Sequence, residues 1–264
     1  DVEAAAPGLN SALTRAGSLS GAVSRLREGP GPGYETIVGG MPRLVAALAD
    51  RLGLLDVEVV TGSRVAEIAA LDAGRWRVAH GQGRVTDVDV VIMAAPEAQA
   101  RRLLAPHVVG VAADVDSARP LDVVTLVVDE PALAAHPRRS AVYAVPGSHA
   151  AAAVVDSTAR WGSVASAAEG RRILRVMFRG DEPCSWPDEQ AVEVAIAEAS
   201  ALLGVTLPPG AVLGARRDGY RAALPASVTG HAARSRGIRA AVHAVDGLAV
   251  TGGWISGSGL AHVI

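Results

Sequence analysis

Lysine is absent from this chain: all 25 of its basic residues are arginine, beside a single phenylalanine and a single cysteine. Arginine replaces lysine on most surfaces, so the bias points to a GC-rich bacterial genome rather than to a special chemistry. One cysteine, Cys184, excludes an internal disulfide and a cysteine-built metal cage, which fits a reducing, cytoplasmic setting. No apolar run approaches the roughly 20 residues that span a bilayer, so a transmembrane segment is not expected; peripheral membrane contact stays open. A net charge of −2 with both signs interspersed gives no footprint for nucleic acid. The seven histidines show no HxH, HxxxH or HExxH spacing, so no metal site is expected. No Gly-x-Ser-x-Gly elbow occurs, and Ser256 and Ser258 have the wrong flanks for one.

What is present suffices for a sizeable core: 264 residues, 50% hydrophobic, enough for one large domain or two ordinary ones. Residues 1–28 read as helical, with Pro7, Leu9, Leu13 and Leu19 as packing points. Gly29–Gly33, alternating Gly and Pro, interrupts them. An extended piece, Tyr34–Val38, leads to Gly39-Gly40-Met41. Pro42 then suits a helix's first turn, with Leu44, Val45, Leu48 and Leu52 on one face and Gly53 at the end. Val57–Val60 reads as a short strand. Val65–Leu71, Arg75–His80 and Gly83–Ala95 read as a three-stranded meander, its last part (Val90–Ala95) apolar enough to be covered on both faces. A helix over Glu97–Leu104 follows. Strands are expected at Val123–Val128, Ser140–Val145, Ile173–Phe178 and Val212–Tyr220. Helices are expected from Asp188, as N-cap, to Gly204, and over His231–Val245.

Near the end, the apolar strand Gly247–Thr251 runs into Gly252-Gly253-Trp254-Ile255-Ser256-Gly257-Ser258-Gly259-Leu260. Glycines between a strand and a helix start let backbone approach a ligand closely, and helix-start N–H groups suit an electron-rich partner. The chain opens on Asp1 and ends on what reads as a helix cut in its second turn, so it is expected to be a fragment.

The order of these segments resembles the flavin-containing amine oxidase superfamily. Gly39-Gly40-Met41 with Leu44 is similar to its "GGM..L" helix start, and Val57–Ala95 to its second FAD segment. Val142–Pro146, Ala159-Arg160-Trp161, Ile173–Val176, Tyr220–Pro225, Gly230-His231 and the Gly247–Leu260 terminus resemble the protoporphyrinogen/coproporphyrinogen III oxidase branch. Val142 stands where that branch has glycine, and Arg160 where it has lysine. The family's N-terminal GxGxxG unit has no counterpart among the four Gly-x-Gly triplets here.

The resemblance implies an α/β fold with an α+β insertion, Rossmann-like and of the two-domain p-hydroxybenzoate-hydroxylase type, lacking its N-terminal βαβ unit. It divides the chain into 1–33 (end of a helical region), 34–105 and 226–264 (FAD-binding) and 106–225 (substrate-binding). FAD is the implied cofactor, with Val65, Gly252, Gly253, Trp254, Gly257, Gly259 and Leu260 against it and Gly39 and Gly40 as turn residues. Arg175, Arg216 and Arg217 would pair with substrate propionates. The implied activity is oxidation of coproporphyrinogen III or protoporphyrinogen IX by O₂ in haem synthesis, with no side-chain catalyst and with a later haem-pathway enzyme as a partner. The alternatives are an amine oxidase, a carotenoid desaturase, or an inactive truncated fragment that purifies colourless.

Overall fold

The computed structural model describes residues 8–27, 36–112, 120–135, 140–208, 210–220 and 230–257. Pro7, the Gly29–Gly33 break, Tyr34, most of the Tyr220–Pro225 motif, Gly259 and Leu260 lie outside that set. The chain divides into two units, residues 1–59 and 60–264.

In the first unit the expected helix is two helices, α1 (Leu9–Ala16) and α2 (Leu19–Arg27), parted at Gly17. The small Ala12 and Ala22 are the buried residues, whereas Leu13 and Leu19 are exposed, which corrects two of the expected packing points. Alanine lets two helix backbones approach where leucine would hold them apart. Helix α3 (Pro42–Gly53) begins with its proline in the first turn as expected, and none of its residues is buried. Val57–Val60 is exposed and, among the described residues, pairs with no strand.

The second unit opens with the meander: β1 (Val65–Ala70), β2 (Trp76–His80) and β3 (Arg84–Val88), antiparallel in sequence order. The expected third strand does not run on to Ala95. It ends at Val88, and after Asp89 the chain starts β4 (Val91–Met93), which leaves the meander and pairs in parallel with β10 (Leu248–Val250). Val90 and Ile92 are exposed, so the run expected to be covered on both faces is covered on one.

Helix α4 (Glu97–Leu104) follows, and its Ala100, Leu103 and Leu104 are buried. They join Ile68, Trp76, Met93, Leu248, Val250, Trp254 and Ile255 in one hydrophobic core. This core gathers residues far apart in sequence. Meander, α4, α6 (His231–His243) and the C-terminal strand meet in it.

Residues 121–220 build a separate core on a five-stranded antiparallel sheet. Its strands are β5 (Leu121–Val128), β6 (Ala141–Tyr143), β7 (Ala151–Asp156), β8 (Arg172–Arg179) and β9 (Val212–Tyr220), in the order β6-β7-β8-β5-β9. Strand β7 was not expected; Ala-Ala-Ala-Val-Val-Asp carries no alternation to reveal it. Helix α5 (Asp188–Leu203) lies on one face, setting Ala191, Ala195, Ala199, Leu202 and Leu203 against Val124, Leu126, Val154, Leu174, Val176 and Phe178. Alanine at every fourth position lets the helix sit close to the sheet. Pro187 precedes the helix and Asp188 is its first residue rather than its N-cap; the Asp188 carboxylate turns to Arg217 instead.

After β9 come α6 (His231–His243), then β10 and a single turn, α7 (Gly253–Ser256).

Candidate functional site

The glycine turn grows out of β10. The Thr251 amide donates to the Met93 carbonyl (2.9 Å), which ties the strand end to β4. Gly252 then adopts φ 116°, ψ 166° and Gly257 φ 109°, ψ 170°, a region in which only glycine is unstrained. Between them the Ser256 amide closes on the Gly252 carbonyl (2.9 Å) and that of Gly257 on Gly253 (3.1 Å). The turn is thus one helical loop between two glycine-only corners. Among the described residues, the amides of Gly253 and Trp254 donate to no protein oxygen. Trp254 and Ile255 point into the core. Trp254 Nε1 is buried and finds no acceptor among the described residues.

Three residues that the sequence reading passed over fasten this turn. The Arg101 guanidinium carbon stands 5.3 Å from the centroid of the Trp254 ring, within cation–π range. Arg101 is in turn held by Glu97, four residues earlier on α4, at 2.8 Å. Arg239 on α6 donates to the Ile255 carbonyl (3.3 Å) and the Ser256 hydroxyl (3.0 Å). The Glu97–Arg101 spacing was a legible helix pair; its placement under a tryptophan over 150 positions away was not.

Val65 begins β1 and packs against the same core as Trp254. Its carbonyl accepts from the Gln99 side-chain amide at 3.0 Å, so that oxygen already has one partner. Gly39 and Gly40, with φ of 89° and 87°, form a turn in the other unit.

The three arginines expected near substrate separate by sheet face. Directly opposed residues on antiparallel strands share a face. Arg216 (β9), Thr125 (β5), Arg175 (β8) and Val155 (β7) stand in one register row. They lie on the face away from α5. Two strand spacings separate the Arg175 and Arg216 backbones, roughly 10 Å. Arg216 pairs with Asp218 (2.7 Å) and is largely exposed, while Arg175 has no ion-pair partner among the described residues.

Arg217 lies on the opposite face, beside Val124. Its guanidinium binds Asp122, itself 2% exposed, together with Asp188 (3.1 Å) and the Trp186 and Pro183 carbonyls. Burial alone would lower its pKa; the hydrogen bonds and charges of Asp122 and then Asp188 outweigh that and raise it. Arg217 is committed to the seam between sheet and helix, and the sequence-based expectation that it faces substrate does not carry forward.

Among the described residues no three His, Cys, Asp or Glu come together as a metal would require, and no helix is long and apolar enough to cross a membrane.

No curated protein matches the chain. Solved structures do. A candidate protoporphyrinogen oxidase from Exiguobacterium sp. 255-15 aligns over 98% of this chain and 56% of its own, with TM-score 0.76 and 21% identity. A reduced UDP-galactopyranose mutase aligns over 90% of this chain and 52% of its own (TM-score 0.65, 14% identity). Wild-type putrescine oxidase bound to putrescine aligns over 85% and 49% (TM-score 0.56, 16% identity). The chain therefore spans about half the length of these flavoenzymes and shares their fold. Residues 5–259 match the profile of the flavin containing amine oxidoreductases, and the chain belongs to that family, whose cofactor is FAD.

Proposed function

We propose that the protein carrying this chain is an FAD-dependent oxidase of a porphyrinogen, with coproporphyrinogen III or protoporphyrinogen IX as substrate and O₂ as electron acceptor. The observation that carries the reading is the pairing of two features. One is a glycine-cornered turn with a buried indole N–H that has no partner among the described residues; the other is the Arg175–Arg216 row on the face of the five-stranded sheet away from α5. The family match and the Exiguobacterium relative support it.

The residues present fit a flavin. Gly252, Gly253 and Gly257 leave backbone uncovered, and Trp254 offers a donor in a place where an unsatisfied one is costly. Gly252, Gly253, Trp254 and Gly257 would hold the cofactor, with Gly259 and Leu260 next in sequence and Val65 as the adenine-side contact. When bound, FAD would supply two-electron oxidation with O₂ as acceptor, three rounds of which turn one porphyrinogen and three O₂ into one porphyrin and three H₂O₂. The chain's own side chains bind and orient. Arg175 and Arg216 take substrate carboxylates, Thr125 lies between them, and no residue is assigned proton transfer. Residues 34–105 and 226–264 would form the FAD-binding part and 106–225 the substrate-binding part, with 1–33 closing a helical region.

The Arg175 guanidinium, which has no ion-pair partner among the described residues, suits an anionic substrate and disfavours a cationic amine, which sets this reading apart from an amine oxidase; a carotenoid, being uncharged, gains nothing from it. The test is steady-state oxidation by the full-length protein. Arg175→Gln or Arg216→Gln is expected to raise KM for coproporphyrinogen III by about tenfold, the loss of one charge-assisted hydrogen bond. Unchanged KM in both variants would remove the arginine row from the substrate site. Turnover of amines and not of porphyrinogens would remove the assignment.

A further inference from the structure

Arg101 stacks on Trp254 beside a largely apolar core. Arg101 is 8% exposed and Trp254 6%, and Glu97, the acid that balances Arg101, is nearly as enclosed. Enclosing an ion pair under an indole costs desolvation that a leucine in its place would avoid. The indole is equally unusual, for its N–H has no acceptor although buried donors are nearly always satisfied. The edge bearing that N–H lies beside Gly252. A Cβ placed on Gly252 would stand 3.6 Å from the Trp254 Cδ1 and 3.8 Å from Nε1. A Cβ there would pack against the indole edge, whose N–H is itself buried. A cation over the ring draws electron density from it and makes the N–H a stronger donor.

We propose that Arg101, braced by Glu97, is a positioning residue. It pins the Trp254 ring from α4 so that the indole N–H donates to an acceptor atom of bound FAD at the Gly252 corner. This rests on the reading that the turn holds the flavin. Arg239, bonded to Ile255 and Ser256, fixes the far end of the same turn.

The experiment is FAD titration of the flavin-stripped full-length protein, followed by quenching of flavin fluorescence, with apoprotein melting recorded in parallel. Trp254→Phe deletes the donor and keeps an aromatic face for Arg101, while trimming the indole's second ring from the core. It is expected to weaken FAD binding about 5- to 10-fold and, through the volume lost from the core, to lower the apoprotein melting temperature. A merely structural role for the indole would lower the melting temperature and leave FAD affinity unchanged. Arg101→Met should weaken binding to a similar degree, and Arg101→Lys should recover part of it. The double variant Trp254→Phe/Arg101→Met should bind within about twofold of the weaker single variant, because both act through one hydrogen bond. Wild-type affinity in Trp254→Phe, or losses that multiply in the double variant, would overturn the proposal. If Arg101→Met fails to fold, Trp254→Phe and Arg101→Lys still decide it. A wild-type protein that takes up no FAD overturns the flavin reading of the turn instead.

Discussion

Arg216 and Arg217 are neighbours in sequence and lie on opposite faces of the sheet. Side chains alternate across a strand, so one of the pair had to face α5 and the other the far side. That parity was legible in the sequence; which arginine went inward was not, because it depends on pairing with Asp122, 95 residues away. Asp122 directs one oxygen to Arg217, and its other oxygen, Oδ1, has no partner among the described residues. Removing the cation would leave a buried carboxylate uncompensated. Arg217→Met should therefore cost about 3–5 kcal/mol in chemical denaturation. A loss below about 1 kcal/mol would show the pair to be dispensable. On the meander, Arg77 binds Asp87 through two hydrogen bonds of 2.7 and 2.8 Å. The Arg77 hydrogen bond, against the opposing effect of desolvation and helped by the charges of Arg77 and Arg75, holds the Asp87 carboxyl below its ordinary value. For a depressed carboxyl the stabilisation is present above the unfolded pKa and lost as pH falls through the folded one. Asp87 should thus titrate below the usual carboxylate range by NMR, and Arg77→Ala should return it there. An unchanged midpoint would contradict the assignment.

Elements were legible where turn chemistry marked their ends. The meander's hairpins stood out at Asp72-Ala73-Gly74 and Gly81-Gln82-Gly83, and α5 at its alanine stripe and Gly204. The break between β3 and β4 was missed because Gly83 to Ala95 reads as one strand until Gly247 is placed against Asp89. The Val91 amide donates to the Gly247 carbonyl (2.8 Å), and a Cβ on Gly247 would come within 2.6 Å of the Gly74 carbonyl and 2.9 Å of that of Asp89. With φ at 74°, Gly247 is both strained for and closed to any side chain. Gly247→Ala should cost about 3 kcal/mol or more, combining left-handed strain with overpacking against backbone. Gly214→Ala on β9, where a Cβ meets nothing within 4 Å, should be neutral or stabilise by about 0.5 kcal/mol. Melting of the two variants checks the pair; equal effects would contradict the packing described.

At the scale of the whole molecule, the second unit holds two cores. One carries the glycine turn, and the other a sheet with Arg175 and Arg216 on the face away from α5. The order of motifs disclosed the family. The fastening of the turn by Glu97, Arg101 and Arg239 was invisible, because it joins two helices that no sequence pattern links. The most direct measurement is anaerobic mixing of the flavin-loaded full-length protein with coproporphyrinogen III, and separately with putrescine, while following the flavin band at roughly 450 nm. The account predicts that the porphyrinogen bleaches the band and putrescine leaves it unchanged. A band that persists with the porphyrinogen and bleaches with the amine would contradict it.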